Sequence, residues 1–305
     1  MRIAVNEFQL IKQYFQQPDL NFSNEYTALK SGDDCAAFSL PSDLELHFSI
    51  DTLVEGVHFP ENANPFDIAT RTVAVSISDL AAMAAIPIGL TLAITLPELK
   101  QDWLQRFSEG LIQAAQFYQC PLMGGDTTKG PTLVITVQVH GVCETGQSLK
   151  RSGAKEGDKV YVSGPIGDGA GALPLVIEDP CLNSGLAKQF YAPIAQVGYA
   201  QKIKTSANSC LDISDGLVQD LNHICHASGV GMTIDPKAIP LSKELLATYG
   251  KDKALQYALT GGDDYQLAYT APHCQFGVCI GEVVKGKQVT VQGMDLSSGG
   301  FQHFI

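Results

Sequence analysis

The chain has 305 residues, enough for one large or two medium domains with a core of their own. Hydrophobic residues make up 45% and charged residues 17%, the balance of a globular protein and not of a disordered one. The formal charge of −12 argues against binding a polyanion through the bulk field, so an anionic small substrate would need metal ions or local Arg and Lys.

The N-terminal stretch MRIAVNEFQLIKQYFQQPD carries Glu7 and Lys12 in a short amphipathic pattern and lacks a signal-peptide core. No apolar run is long enough to cross a bilayer, and the expected location is the cytoplasm. Leu44 to Ile50 alternates as a strand does and runs into Asp51-Thr52. Asp67 to Ala84 has helical spacing, Leu90 to Leu96 reads as a strand, and Trp103, Leu104, Phe107, Leu111, Ala114, Ala115 and Tyr118 form the stripe of an amphipathic helix. Leu133 to Val139 alternates again. The polar, Gly-rich segment from Glu144 to Asp158 reads as a domain boundary, dividing the chain into residues 1–146 and 147–305.

Beyond it, Lys159 to Ser163 is an expected strand, followed by a loop from Gly164 to Gly171 with four glycines. That loop lacks the Gly-Lys-Ser/Thr of a Walker A motif, and turn-making and phosphate cradling both remain open for it. Asn208 to Ile213 is an expected strand delivering Asp212, Ser214 and Asp215 onto a turn, with Leu217, Leu221, Ile224 and Cys225 as the buried face of the next helix. At that helix start, Ser214 or Asp215 is either a cap or part of a phosphate site built on backbone N–H groups. Alternating strands and helices in both halves give an α/β or α+β class with two lobes.

The eight cysteines have irregular spacing with no Cys-x-x-Cys pair, so Cys120, Cys143 and Cys210 read as small hydrophobes. His223, Cys225 and His226 read as ordinary helix residues, since no second cluster at zinc spacing completes them. What stands out is a recurring short motif of Asp with Gly, Ser or Thr. It occurs at Gly32-Asp33-Asp34, Ser78-Asp79-Leu80, Gly124-Gly125-Asp126-Thr127-Thr128, Asp212-Ile-Ser-Asp215-Gly216 and Gly261-Gly262-Asp263-Asp264. These are expected as turns at element ends that together form one site. Carboxylates so gathered repel each other unless cations lie between them, and hard divalent cations bridge carboxylates to phosphates. Proton-transfer machinery is scarce, with His58 the only histidine close to such a motif, which suits phosphoryl transfer.

The ordered set GDDCAAF (32–38), DTLVEGVHF (51–59), SDLAAMAA (78–85), MGGDTTKGP (123–131), RSGAKEGD (151–158), LDISDGL (211–217), LTGGDDY (259–265) and GFQHF (300–304) closely resembles the thiamine-monophosphate kinase family. That family lies in the ATP-binding superfamily of aminoimidazole-ribotide synthetase and selenophosphate synthetase. The resemblance implies a two-lobed PurM-like fold and a homodimer built through the N-terminal domain, with ATP in a groove between domains. It also implies ATP-dependent phosphorylation of thiamine monophosphate with several Mg²⁺ ions. Carried onto matching positions, it implies Asp34, Ser49, the backbone of Ile50, Asp51, Asp79, Asp126, Asp212 and Asp215 as the metal set. Gly125, Asp126, Arg151 and Ser214 would meet ATP, and His58, Asp263 and Phe301 the thiamine substrate. Asp263 stands where the family usually has Glu, Ile50 where Thr is common and Phe301 where Trp or Tyr is frequent. Alternatives are another ATP-dependent enzyme of the superfamily and a non-catalytic protein that binds divalent cations or nucleotide. No nucleic-acid or membrane partner is expected.

Overall fold

The structure, a computed structural model, describes residues 7–294. The chain divides into two compact units. One takes the described residues up to Leu80 together with Ile86–Gly146, and the other takes Ala81–Ala85 together with the described residues from Gln147 onward.

The first unit opens with α1 (Glu7–Leu10), which runs into a π-helical turn at Ile11–Phe15. A small antiparallel pair follows, β1 (Thr27–Leu29) with β2 (Ala37–Phe38). Then come β3 (Leu44–Val54), α2 (Pro65–Ala82), β4 (Ile86–Leu96), α3 (Gln101–Phe117), β5 (Leu122–Lys129) and β6 (Val134–Glu144). Strands β3 to β6 form one sheet in the order β3-β6-β4-β5. Parallel β4 and β5 are joined through α3, as a parallel pair requires a crossover, and the remaining pairs are antiparallel. The α3 stripe buries Leu104, Phe107, Leu111, Ala114 and Ala115, as its spacing predicts. Strand β3 does not stop at Ile50 but runs on to Val54, because the alternation continues through Asp51. Ser49, Asp51 and Leu53 take one face, while Leu46, Phe48, Ile50 and Thr52 stay exposed on the other.

In the second unit the order is β7 (Lys159–Val162), α4 (Asp168–Glu178), α5 (Gly185–Tyr191), α6 (Val197–Ile203), β8 (Ser209–Asp212), α7 (Leu217–Ser228) and β9 (Gly231–Ile234), then α8 (Lys243–Thr260), β10 (Leu267–Ala271), β11 (Val278–Val284) and β12 (Val289–Val291). Its sheet runs β12-β9-β11-β7-β10-β8 and is antiparallel except between β12 and β9. Val160, Val162, Leu211, Ile213, Leu217, Leu221, Ile224, Ile234 and Ile280 build the core where α7 meets this sheet. All eight cysteines are free, and Cys120, Cys143 and Cys210 are buried as small hydrophobes. No helix of the described residues is long and apolar enough to cross a membrane.

Candidate active site

The acidic motifs do not all lie on turns. Asp79 sits within α2, Asp51 within β3 and Asp126 within β5, and only the motifs at Asp33-Asp34, Asp215-Gly216 and Asp263-Asp264 fall outside helices and strands. Ser78 is fully buried, so the Ser78-Asp79-Leu80 string is a helix segment packed into the unit and not a loop.

In the first unit, β3 and α2 bring Ser49, Asp51 and Asp79 together. The Ser49 hydroxyl donates a short hydrogen bond to Asp79 Oδ2. Burial pushes the Asp51 carboxyl up to about 6, the nearby charge of Asp79 adds to this, and a hydrogen bond from Ser76 partly offsets it. A half-buried carboxyl whose protonation is favoured by burial and by a neighbouring carboxylate is short of positive charge. Carboxylate and hydroxyl oxygens are the donors a hard divalent cation takes, so this group fits Mg²⁺. Ile50 points its side chain to the opposite, exposed face, leaving only its backbone available to this group.

Asp34, Gly125 and Asp126 share the lining of a second feature, a cavity of about 340 Å³ with Phe15, Leu92 and Ile94 on its apolar side. Asp126 Oδ1 accepts the N–H of Thr127 at 2.9 Å, and the Asp34 N–H donates to Asp33 Oδ1 at 2.9 Å. Gly125 has a packing reason to be glycine, because a Cβ there would lie 2.0 Å from the carbonyl oxygen of Leu92 on the paired strand. His58 follows the end of β3, where its Nδ1 accepts the N–H of Val54 at 3.0 Å, leaving the ring proton of the neutral form on Nε2.

Strand register separates these two groups. Asp51 pairs with Val137, Val137 with Leu92, and Leu92 with Gly125, one row across the whole sheet. Three strand spacings amount to about 14 Å. Asp126 lies in the next row, with Ala93, Thr136 and Thr52, and therefore on the opposite face from Asp51. Within one chain the first unit holds two acidic groups, not one.

In the second unit, β8 delivers buried Asp212 and then Ser214 and Asp215. The loop is zipped to residues 263–266: Asp263 N–H donates to Ser214 O at 2.9 Å, Tyr265 N–H to Ile213 O at 2.8 Å, and Ile213 N–H to Gln266 O at 2.8 Å. Gly262 makes the close approach possible, since a Cβ would stand 2.0 Å from Ser214 O. Asp263 adopts a left-handed backbone (φ 67°), a conformation Asp tolerates better than most, and its Oδ1 accepts the Tyr265 hydroxyl at 2.8 Å. Arg151 is exposed, and its carbonyl accepts the Ser228 hydroxyl at 3.2 Å. Phe301 lies outside the described residues.

Two expectations for backbone N–H groups are corrected. Neither Ser214 nor Asp215 caps α7, whose N-cap is Gly216 without a side-chain bond. The N–H groups of Ser214, Asp215 and Gly216 all donate to Oδ2 of Asp220, each at 3.1 Å, so that nest is filled by an internal carboxylate. In the glycine loop, Asp264 accepts the N–H of Gly167 at 2.7 Å and of Gly169 at 3.3 Å, which favours turn-making over phosphate cradling. Burial raises Asp264 well above the usual carboxylate range and Asp220 to about 7, although backbone N–H groups pull both the other way. Asp220 and Asp264 are the residues sequence reading missed. His223, Cys225 and His226 lie in α7 as expected, and Asp215, Asp220 and His223 place one ligand atom each within 4.8 Å of one another.

The first half matches the family model "AIR synthase related protein, N-terminal domain" over residues 32–143, and the second half the corresponding C-terminal domain over residues 155–293. The two units are thus those of an AIR synthase-related protein. The chain is 38% identical to thiamine-monophosphate kinase of Salmonella typhimurium over 99% of both chains, and 41% identical to that of Escherichia coli over 90% of this chain and 85% of the relative. A crystal structure of thiamine-monophosphate kinase from Stenotrophomonas maltophilia superposes with a TM-score of 0.83 at 36% identity, covering 88% of this chain and 92% of that one. Another, described as AaThiL complexed with AMPPCP and TMP, gives 0.81 at 32% identity over 100% and 99%. The chain belongs to the thiamine-monophosphate kinase family.

Proposed function

We propose that this protein transfers the γ-phosphoryl group of ATP to thiamine monophosphate, giving thiamine diphosphate and ADP, with Mg²⁺ as the metal. Family membership over nearly the full length supports the reaction, as does the complex of a relative with AMPPCP and TMP. The observation that carries the chemistry is the Asp51–Asp79 pair, two half-buried carboxylates in need of positive charge.

The acceptor is a phosphate monoester, largely dianionic near neutral pH because its second pKa is about 6. Its oxygen attacks the γ-phosphorus, the bond from that phosphorus to the β,γ-bridging oxygen breaks, and ADP departs. No general base is needed, in keeping with a candidate site made of carboxylates. Mg²⁺ held by these residues supplies the positive charge that an anionic donor and an anionic acceptor need in order to approach. Ser49, Asp51 and Asp79 would hold it as one group, Asp34 and Asp126 as another, and Asp212 and Asp215 from the second unit. Arg151 is assigned to the phosphates and Ser214 to the nucleotide. The Nε2–H of His58 and the Asp263 carboxylate are assigned to the thiamine substrate, and so is Phe301.

A homodimer follows from the same reading. Asp51 and Asp126 stand about three strands apart on opposite faces, too far to share an ion within one chain. β3 and β5 are the two edges of the sheet, and β3 exposes Leu46, Phe48 and Ile50. Edge-to-edge assembly of two copies would set β5 of one beside β3 of the other, shortening the separation of the two acidic groups from about three strand spacings to about one.

Incubation of the purified protein with ATP, Mg²⁺ and thiamine monophosphate, followed by chromatography, should yield thiamine diphosphate and ADP in equal amounts. Folded protein that forms neither product would overturn the assignment.

A further inference from the structure

The loop carrying Ser214 and Asp215 is gripped from below by a group the proposed chemistry does not use. Three consecutive N–H groups, from Ser214 to Gly216, converge on one oxygen of Asp220, a residue only 3% exposed on the first turn of α7. A nest of N–H groups at a helix N-terminus attracts any anion, including a triphosphate. Here the anion is built in. The same loop is tied on its other side to the chain that carries Asp263, through Asp263 N–H to Ser214 O. Ser214 and Asp263, assigned to opposite substrates, are thereby joined through one peptide segment whose other anchor is the Asp220 carboxylate.

We propose that Asp220 is a positioning residue that fixes the Ser214–Gly216 loop for nucleotide and keeps its N–H nest closed to phosphate. The reading rests on nucleotide binding at this loop, as the proposed function has it. Because Asp263 hangs on Ser214, a loosened loop weakens the thiamine-substrate site as well.

The test uses D220N and D220A in the full chain, with two readouts. The first is hydrogen exchange of the segment spanning residues 213–217 in protein without nucleotide, which does not depend on the kinase reading. Loosening three N–H groups from one shared carboxyl oxygen should speed exchange there by about tenfold or more. The second is steady-state kinetics: KM should rise for both ATP and thiamine monophosphate, by about tenfold in D220N and more in D220A. Formate, but not chloride at equal ionic strength, should recover part of the D220A loss by re-entering the nest. A purely structural role would lower the thermal midpoint and leave both KM values of the folded fraction alone, which would overturn the proposal. A higher Mg²⁺ requirement with unchanged nucleotide KM would make Asp220 a direct ligand and overturn it too. Should D220A fail to fold, unchanged exchange and unchanged KM values in D220N would be decisive against it.

Discussion

Replacing Asp51 by Asn should make the metal-free protein more stable while nearly abolishing turnover. The Asp51 carboxyl is held at about 6 in the folded chain against 3.8 for a free carboxyl, by burial first and by Asp79 second. That difference corresponds to about 3 kcal/mol between the two protonation states. The sign follows from the raised value. Below about pH 4 the group is protonated whether folded or not, and the folded state carries no penalty. As pH rises to about 6 the unfolded chain ionises first and stability is lost, and above that the full penalty persists. Asn is neutral throughout, so in EDTA at pH 8 the variant should gain about 1–3 kcal/mol after allowance for solvent access and an imperfect amide contact. For a unit of this size that is a rise of several degrees in its thermal transition, at about 2–4 °C per kcal/mol. The assay is thermal unfolding of variant and parent at pH 8 and pH 4.5 without divalent cation. A gain at pH 8 that falls to about a third of its size at pH 4.5 is expected. Equal stability at pH 8, or the same gain at both pH values, would refute the reasoning.

Asp126→Asn should lower kcat by about a hundredfold with an unchanged thermal midpoint, because the side chain is exposed and makes only a local contact with the Thr127 N–H. Mixing inactive Asp51→Asn with inactive Asp126→Asn tests the shared site. Subunit exchange should restore up to about a quarter of parental activity, since half the dimers would be mixed and half of their sites intact, and no recovery would mean each site is built within one chain. Gly125→Ala should destabilise the first unit by about 1–3 kcal/mol or more, because its Cβ would press on Leu92 O and push β5 from β4; a thermal scan reads this directly. Asp263→Glu adds one methylene of reach and should lower KM for thiamine monophosphate by about threefold while leaving that for ATP unchanged, and identical kinetics would remove Asp263 from the substrate side.

The acidic motifs were readable because Asp beside Gly or Ser is a strong local signal, and the periodicity of α3 and β6 was equally plain. What escaped was whatever depends on pairing. Asp51 looked like the end of a strand because Ile50-Asp51-Thr52 changes polarity there, yet the alternation and the β6 partner carry the strand on to Val54. Asp79 groups by motif with the turns, although the helical spacing from Asp67 to Ala84 already encloses it, and it lies inside the 18-residue α2. Register, invisible in one chain read alone, is what divides Asp51 from Asp126. Asp220 resembles any acid in a helix's first turn, and its role arises only when three N–H groups fold back onto it. The same holds for Asp264, whose partners lie almost a hundred residues away at Gly167 and Gly169.

The most direct test follows the transferred group itself. With ATP labelled at the γ-phosphate, thiamine monophosphate and Mg²⁺, a single turnover should place the label on the terminal phosphate of thiamine diphosphate, with unlabelled ADP and little labelled inorganic phosphate. Label released only as inorganic phosphate, or AMP formed in place of ADP, would contradict direct phosphoryl transfer to thiamine monophosphate.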